Sequence, residues 1–290
     1  MRKGIILAGG KGSRLYPATE VTSKQLLPIF DKPMIYYPLS VLMLAGIREI
    51  LIISTPEDTP RFEMLLKDGS ELGLHISYMV QPKPEGLPHA FILAENFLAG
   101  YPCCLILGDN LFYGNDLTTL LRSASKQKEG AIIFACKVAN PEKYGVITFD
   151  KANKPQKIIE KPTSPISRFA VPGLYFYDER VSAIAKTLVP SARGELEISD
   201  LNQKYLNMNE LDVMFMKRGM AWMDMGTFES LLIASNFIET VQSRHGIKIA
   251  CPEEIAYRMG FISSSELKEL ALQRHPEDYG KYLLDLLEEE

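Results

Sequence analysis

The stretch that decides the fold lies near the start of the chain and reads Gly4-Ile5-Ile6-Leu7-Ala8-Gly9-Gly10-Lys11-Gly12. Its first five residues form an apolar run without polar alternation, which is typical of a strand buried on both faces of a parallel sheet. The glycines let the backbone approach a ligand closely, and successive free N–H groups form an anion-binding concavity. The stretch therefore predicts a buried strand followed by a phosphate-binding turn, with an ordinary tight turn as the alternative.

The same apolar pattern recurs outward from this strand. It predicts further buried strands over residues 50–54, 76–80, 104–107 and 131–136. Apolar positions at helical spacing predict helices between them, over residues 35–45, 60–66, 90–98 and 117–126. Strands and helices that alternate in this way indicate right-handed crossovers and an α/β sheet with helices on both faces.

The pattern changes after about residue 137. Strands are predicted over residues 146–149, 157–160, 171–177 and 212–216, and helices over residues 181–188 and 198–208. From residue 228 onward only helical patterns follow, over residues 228–244, 253–259, 264–272 and 279–287. We therefore predict one large α/β domain over residues 1–227, with a helical extension over residues 228–290 that packs on the same domain.

Composition limits the classes of function. The 290 residues are 46% hydrophobic and 23% charged, as in ordinary globular domains. Lys and Arg number 32 against 36 Asp and Glu, a net charge of −4 that argues against nucleic-acid binding through phosphate neutralisation. The four cysteines lack zinc-ligand spacing, and no apolar run is long enough to span a membrane. We expect a cytoplasmic protein without nucleic-acid or membrane partners.

The glycine turn differs from two common phosphate-binding turns. A P-loop requires the string GxxxxGK(S/T), which does not occur in this chain. The dinucleotide-binding fingerprint requires a further glycine at position 15, where Leu15 stands. A nicotinamide-dependent dehydrogenase, which rests only on the glycines and the α/β pattern, is therefore disfavoured.

A collinear set of motifs runs through nearly the whole chain. It consists of Leu7-Ala8-Gly9-Gly10, Gly12-Ser13-Arg14-Leu15, Ser23-Lys24-Gln25-Leu26-Leu27-Pro28, Asp31-Lys32-Pro33-Met34-Ile35, Gln81-Pro82, Gly86-Leu87, Leu107-Gly108-Asp109-Asn110, Tyr144-Gly145-Val146, Glu160-Lys161-Pro162, Gly173-Leu174-Tyr175-Phe176-Tyr177, Ala192-Arg193-Gly194-Glu195-Leu196-Glu197 and Trp222-Met223-Asp224. Together these motifs closely resemble the sugar-nucleotide pyrophosphorylases, and within that family the members that use dTTP and glucose 1-phosphate. The resemblance implies a Rossmann-like, mixed but mostly parallel sheet of the nucleotide-diphospho-sugar transferase type.

The implied reaction converts dTTP and α-D-glucose 1-phosphate into dTDP-glucose and pyrophosphate, for deoxysugars of the dTDP-rhamnose type and for surface polysaccharide. A phosphate oxygen attacks the α-phosphorus, and pyrophosphate leaves in line. Because a phosphate monoester is mostly dianionic at neutral pH, the reaction needs positioning and charge neutralisation more than acid–base catalysis. The implied cofactor is Mg²⁺, held by Asp109 and Asp224 together with substrate oxygens.

The resemblance also assigns roles to individual residues. The implied catalytic residues are Arg14 toward the pyrophosphate, Lys24 near the α-phosphate, Lys161 on the sugar phosphate, and the metal ligands Asp109 and Asp224. The implied nucleotide-binding residues are Leu7, Gly9, Gly10, Gly12, Ser13, Arg14, Lys24, Gln81, Gly86 and Asp109. The implied sugar-binding residues are Leu107, Asn110, Gly145, Glu160, Lys161, Val171 and Tyr175. Each has an ordinary alternative, as a capping aspartate, a solvated cation or a core side chain.

Members of this family form homotetramers that resemble one another, and many bind a second nucleotide at a contact between subunits. The resemblance therefore implies a homotetramer with feedback by a dTDP-sugar. The residues at the corresponding positions are Tyr113, Gly114, Lys248, Glu254, Ile255 and Arg258.

The chain departs from the family pattern beside both substrates. Where the family usually reads GLAQA, this chain has Gly86-Leu87-Pro88-His89-Ala90, so that an imidazole replaces a neutral amide. Met225 stands where threonine is usual, and Pro172 where threonine or valine is usual. These changes leave open a UTP-dependent or other-sugar nucleotidyltransferase and a catalytically weak sugar-nucleotide sensor. The intact catalytic set weighs against the sensor.

Overall fold

A ten-stranded mixed sheet forms the centre of the computed structural model. The structure describes residues 1–10, 12–164, 166–274 and 277–288. The strands are β1 (Lys3–Leu7), β2 (Pro28–Ile29), β3 (Lys32–Pro33), β4 (Glu49–Ser54), β5 (His75–Val80), β6 (Cys103–Leu107), β7 (Asn110–Tyr113), β8 (Ala131–Lys137), β9 (Val146–Phe149), β10 (Pro155–Ile159), β11 (Phe169–Ala170), β12 (Leu174–Tyr177), β13 (Leu211–Phe215) and β14 (Ala221–Asp224). The helices are α1 (Tyr36–Leu44), α2 (Thr59–Leu66), α3 (His89–Leu93), α4 (Glu95–Leu98), α5 (Leu117–Lys126), α6 (Val181–Ala185), α7 (Ile198–Asn207), α8 (Phe228–His245), α9 (Pro252–Arg258), α10 (Ser264–Gln273) and α11 (Tyr279–Glu288).

The strand order combines a parallel half with a mixed half. The order is β10-β9-β11-β8-β12-β6-β1-β4-β5, with β13 paired in parallel to β8. Strands β6, β1, β4 and β5 are mutually parallel, whereas β12 is antiparallel to both of its neighbours. Two further antiparallel pairs, β7 with β14 and β2 with β3, lie outside this sheet. The predicted mixed, mostly parallel α/β fold is confirmed.

Apolar clusters cover both faces of the sheet. Along β1, Ile6 belongs to one cluster and Ile5 to the other, because successive side chains of a strand point to opposite faces. The same division separates Cys104 from Cys103 on β6. Burial on both faces is the reason these strands read as continuous apolar runs.

The C-terminal helices share the core of the α/β domain. Ala256 of α9, Leu267 of α10 and Leu283 of α11 lie in the same buried cluster as Leu39 and Leu42 of α1. The division of the chain at residues 227 and 228 stays a prediction.

Three predicted elements differ from the structure by a break or by three residues at one end. The helix expected over residues 90–98 is broken at Ala94 into α3 and α4, and the helix expected over residues 181–188 ends as α6 at Ala185. The strand expected over residues 171–177 begins only at Leu174, as β12. The reason is local: proline has no N–H for a strand hydrogen bond, and Gly173 N donates to the Asn110 side chain instead.

All four cysteines are free thiols, and burial raises the pKa of Cys103 to about 12. None of the helices in the described ranges is both long and apolar enough to cross a membrane.

Candidate active site

The candidate site lies at the sheet edge where the parallel strands end. β1 and β6 are in register with Leu7 opposite Leu107, so the turns that follow these two strands begin side by side. The antiparallel strand β12 begins at the same edge, because Leu174 lies opposite Ile106. Ligands of open α/β sheets bind at this edge, where loops from several strands converge.

The glycine turn after β1 is fixed to its neighbours by backbone hydrogen bonds. Gly108 N donates to Leu7 O over 2.9 Å, which ties the turn to the end of β6. Gly10 and Gly12 have φ angles of 102° and 58°, a region that favours glycine. Gly12 leads into a 3₁₀ turn over Ser13–Leu15, which carries Arg14. Lys11 lies outside the described residues.

The strand pair β7 and β14 positions the two predicted metal ligands. Asp224 of β14 lies opposite Asn110 of β7, and Asn110 is the residue that follows Asp109 in the chain. The backbone N–H of Met225 donates to Asp109 O over 2.9 Å, so hydrogen bonds hold the two aspartate segments together. Both side chains line one open cavity.

Cations surround the two carboxylates. Lys24 forms an ion pair with Asp109. Gly226 leaves room for the Arg14 guanidinium, since a Cβ at this glycine would lie 2.6 Å from Arg14 Nη2 and 3.1 Å from Asp224 Oδ1. The five predicted catalytic residues are therefore assembled around one point, with Lys161 at the cavity wall.

The charge balance at Asp224 is unfavourable to its ionised form. Burial raises the pKa of Asp224, and the neighbouring Asp109 carboxylate raises it further. The positive charges of Lys24, Arg14 and Lys161 oppose this shift. Lys24 already forms an ion pair with Asp109. Of the two carboxylates, Asp224 is therefore the one whose negative charge is less compensated by a cation.

The predicted sugar-side residues line the same cavity. They are Leu107, Asn110, Gly145, Glu160, Lys161, Val171 and Tyr175. Gly145 and Glu160 are neighbours because β9 and β10 are antiparallel, with Ile159 opposite Val146. A Cβ at Gly145 would lie 3.0 Å from Glu160 Oε2, so glycine keeps the space in front of this carboxylate open.

Glu160 is held from two sides. Ser199, in the first turn of α7, donates a hydrogen bond of 2.6 Å to Glu160 Oε2. Lys161 Nζ lies 3.5 Å from Glu160 Oε1. Lys161 has a positive φ of 41°, an uncommon backbone conformation for a residue with a side chain. The carboxylate is thereby fixed toward the cavity while retaining capacity to accept hydrogen bonds from hydroxyl groups.

Asn110 joins the two sides of the cavity. Its Oδ1 accepts hydrogen bonds from Trp222 Nε1 over 2.6 Å and from Gly173 N over 3.1 Å. Its Nδ2 donates to Asp109 Oδ1 over 3.1 Å. The Trp222 ring also packs against Tyr144, with centroids 4.9 Å apart.

Gln81 lies beside the glycine turn and Gly86 beside Leu196, and neither residue is in the cavity wall. Gln81 follows β5, and a Cβ at Gly9 would lie 3.3 Å from Gln81 Oε1. Gly86 forms an isolated parallel bridge with Leu196, whose N–H donates to Glu85 O over 3.0 Å. Any Cβ at Gly86 would clash with the Leu196 backbone, so this close contact requires glycine.

A second cavity contains part of the predicted regulatory set. Tyr113, Gly114, Lys248 and Ile255 line it. Glu254 and Arg258 are outside its lining: Glu254 accepts hydrogen bonds from Tyr282 Oη over 2.6 Å and from Arg258 Nε over 2.8 Å. The regulatory role of this set stays a prediction.

Three contacts in the site were not predicted. Ser199 holds Glu160, Trp222 holds Asn110, and His89 contacts Gln81. Trp222 and His89 stand in motifs noted in the sequence, but Ser199 gave no signal, because its partner lies 39 residues earlier in the chain.

Comparison with known proteins shows the family. The Nucleotidyl transferase family model matches residues 3–241. A glucose-1-phosphate thymidylyltransferase from Neisseria meningitidis serogroup A is 56% identical over 98% of this chain and 99% of that protein. One from Mycolicibacterium smegmatis is 52% identical over 99% of this chain and 100% of that protein.

Solved structures are similar as well. A protein from Bacillus anthracis, whose crystal structure was solved in complex with sucrose, is 42% identical in sequence to this chain. The two structures align with a TM-score of 0.76, over 82% of this chain and 95% of that one. A UDP-glucose pyrophosphorylase in complex with UDP-glucose is 26% identical with a TM-score of 0.73, covering 83% of this chain and 99% of that one. With the geometry described above, these matches show that the chain is an enzyme of the nucleotidyl transferase family.

Proposed function

We propose that this enzyme transfers a thymidylyl group from dTTP to α-D-glucose 1-phosphate, with Mg²⁺ as cofactor, and releases pyrophosphate. The observation that carries the proposal is that one cavity is lined by the two cations Arg14 and Lys161 and by the three carboxylates Asp109, Glu160 and Asp224. The curated relatives at 52% and 56% identity are named for this activity and are covered almost completely.

The chemistry of the two aspartates fits a magnesium ion. Asp224 is a buried carboxylate whose pKa is raised by burial and by a second carboxylate beside it, so a divalent cation would relieve the repulsion. Mg²⁺ is commonly held by one or two carboxylates together with substrate phosphates and water. Bound there, the ion would supply neutralisation of phosphate charge.

The protein's own residues position the two anionic substrates. The glycine turn offers backbone N–H groups to the triphosphate, and Arg14 neutralises the departing pyrophosphate. Lys24, which pairs with Asp109, is the proposed contact of the α-phosphate. Lys161 holds the phosphate of the sugar, and Glu160 accepts hydrogen bonds from its hydroxyl groups. No side chain has to remove a proton, because the attacking phosphate is already ionised.

The test is pyrophosphate release with Mg²⁺ and glucose 1-phosphate, with dTTP, UTP, CTP, GTP and ATP offered separately. Each product is identified by mass. We expect dTDP-glucose to form with a kcat/KM well above that for CTP, GTP and ATP. Absence of product from any nucleotide, with this or another hexose 1-phosphate, would overturn the proposal and favour a sugar-nucleotide sensor.

A second candidate is uridylyl transfer, which the similarity to a UDP-glucose pyrophosphorylase favours. The same assay decides between the two. A higher kcat/KM for UTP than for dTTP would assign the chain to uridylyl transfer.

We further propose that the enzyme is a cytoplasmic homotetramer that supplies deoxysugars of the dTDP-rhamnose type for surface polysaccharide. The second cavity, with Tyr113, Gly114 and Lys248, is the proposed site for feedback by a dTDP-sugar. A mass measured in solution by light scattering tests the tetramer. Addition of a dTDP-sugar at saturating substrate tests the feedback, and unchanged rate and thermal stability would exclude it.

A further inference from the structure

We infer that His89 fixes the orientation of the Gln81 amide, and that the fixed amide makes the base site select thymine and uracil over cytosine. His89 is thus a positioning residue, which acts on the base through Gln81. The inference rests on the proposed function, in which Gln81 pairs with the edge of the base.

His89 bridges two polar side chains. Its Nδ1 lies 3.2 Å from Gln81 Nε2, and its Nε2 lies 3.3 Å from Glu85 Oε2. His89 is the first residue of α3, and Pro88 before it has helical φ and ψ angles of −62° and −22°. Gln81 is buried, with 8% of its surface exposed, and its backbone N–H donates to Ser54 O over 2.7 Å. The amide therefore projects from a fixed backbone into contact with a ring that is itself fixed.

The two partners determine which ring nitrogen carries the proton. A carboxylate carries negative charge and only accepts, so Glu85 Oε2 at 3.3 Å favours the ring proton on Nε2. In the neutral ring Nδ1 is then an acceptor, and it takes one N–H of Gln81 Nε2. The second N–H and the carbonyl Oε1 of Gln81 are left for a ligand, since no described residue donates to Oε1. If the amide turned over, Oε1 would face the Nδ1 lone pair, and both acceptors would lose a hydrogen bond.

A glutamine amide in one orientation distinguishes the pyrimidines. Thymine and uracil present an N3–H donor beside the O4 acceptor, and these pair with Oε1 and with the free N–H. Cytosine presents an acceptor at N3 and an amino donor at C4, so the same contact requires the amide turned over. The contact of Gln81 with His89 opposes that turn. Thymine and uracil are not separated by it, because their pairing edges are the same.

The experiment compares kcat/KM for dTTP, dUTP and dCTP, with glucose 1-phosphate and Mg²⁺, in five proteins. These are the wild type, H89A, Q81A, the double variant H89A/Q81A, and the matched control H75A, in which an exposed histidine at the start of β5 is removed. We expect H89A to reduce the preference for dTTP over dCTP by about 10-fold, the value of about one to two lost hydrogen bonds. The ratio of dTTP to dUTP should stay unchanged in H89A, and all three ratios should stay unchanged in H75A.

The double variant separates positioning from a general loss of structure. If His89 acts through Gln81, adding H89A to Q81A leaves the ratio of dTTP to dCTP unchanged. An equal reduction with and without Gln81, or an unchanged ratio in H89A, would overturn the inference. If H89A does not fold, E85A replaces it, because Glu85 is exposed and its loss frees the ring to protonate on Nδ1; a reduction of about 3-fold is then expected. An unchanged ratio in E85A would overturn the inference.

The wild type tests the underlying function separately. If it forms no dTDP-glucose, the proposed function fails before any variant is compared. If it forms dTDP-glucose and H89A retains the full preference over dCTP, only the role of His89 fails.

Discussion

Asp224 is subject to two opposing requirements. Its carboxylate has to be ionised to bind a cation, but burial and Asp109 raise its pKa. A carboxyl group with a raised pKa in the folded state binds protons on folding, so the free energy of unfolding decreases as the pH rises through that pKa. At neutral pH the folded protein is therefore less stable with an ionised Asp224 than it would be with an uncharged side chain at this position. Such a cost in stability is common for functional residues.

The variant D224N tests this conflict. We expect turnover to fall by about 100-fold or more, because one group that positions charge is lost. We expect the melting temperature at pH 7.5 to rise above that of the wild type, and the difference to shrink toward pH 4, because acid favours the protonated, uncharged form of the native Asp224. Calorimetry at both pH values and a pyrophosphate assay measure the two effects. A lower melting temperature at pH 7.5 would contradict the charge argument, and unchanged turnover would contradict the metal assignment.

Ser199 offers a second test at this scale. Its removal in S199A takes away the 2.6 Å hydrogen bond that orients Glu160. We expect the KM for glucose 1-phosphate to rise about 5-fold, the value of one hydrogen bond, with the KM for dTTP unchanged. The control is S243A, because Ser243 is exposed on α8 and donates only to Thr240 O. An equal rise in both KM values would show that Ser199 supports the site as a whole.

At the scale of elements, two glycines next to α8 serve different purposes. Gly226 precedes the helix and leaves space for Arg14, without a positive φ. Gly246 ends the helix with φ of 66°, and nothing lies within 4 Å of a Cβ placed there. Gly226 is required because a side chain there would collide with Arg14, and Gly246 is required because its backbone has a left-handed conformation.

Alanine at each position separates these requirements. G226A displaces the Arg14 guanidinium, so we expect kcat/KM for dTTP to fall at least 10-fold, with the free energy of unfolding changed by less than about 1 kcal/mol. G246A forces a side chain into the left-handed region, so we expect a loss of about 1 kcal/mol in stability with activity unchanged. Denaturant titration and steady-state kinetics of both variants give the comparison. A stability loss without an activity loss in G226A would contradict the role assigned to this glycine.

The sequence predicts the strands whose surroundings are apolar on both faces. β1, β4 and β6 are buried on both faces, and their continuous apolar runs locate them to within a residue. β7 and β14 were not predicted, because each has four residues and its pairing partner is about 110 positions away. The carboxylates and cations follow from motifs, whereas the contact of Ser199 with Glu160 depends on how α7 packs beside β10. The family resemblance therefore supplies the candidate catalytic groups, and only the tertiary structure shows what orients them.

At the scale of the whole molecule, the last helices are integral to the core. Leu267, Leu270 and Leu283 are buried against the α/β domain, each worth about 1.5 to 3 kcal/mol. Their removal would cost a large part of the ordinary stability of a folded protein, which is about 5 to 15 kcal/mol. The extension is thus expected to fold together with the sheet.

Calorimetry tests this expectation directly. The full chain should unfold in a single cooperative transition, because one buried cluster connects α1 with α9, α10 and α11. A chain truncated after residue 245 should show no cooperative transition. The control variant L283A should keep a single transition and lose about 2 to 5 kcal/mol. Two separate transitions in the full chain would show that the extension folds independently.

The bridge between Gly86 and Leu196 has a consequence for how the substrates affect each other. Gly86 belongs to the loop beside the proposed base site, and Leu196 leads into the helix whose Ser199 holds Glu160. One pair of backbone segments therefore connects the wall that would contact the nucleotide with the wall that would contact the sugar. A ligand that orders one wall lowers the entropy cost of ordering the other, which is positive cooperativity. By thermodynamic linkage, the factor by which dTTP strengthens the binding of glucose 1-phosphate must equal the factor by which glucose 1-phosphate strengthens the binding of dTTP.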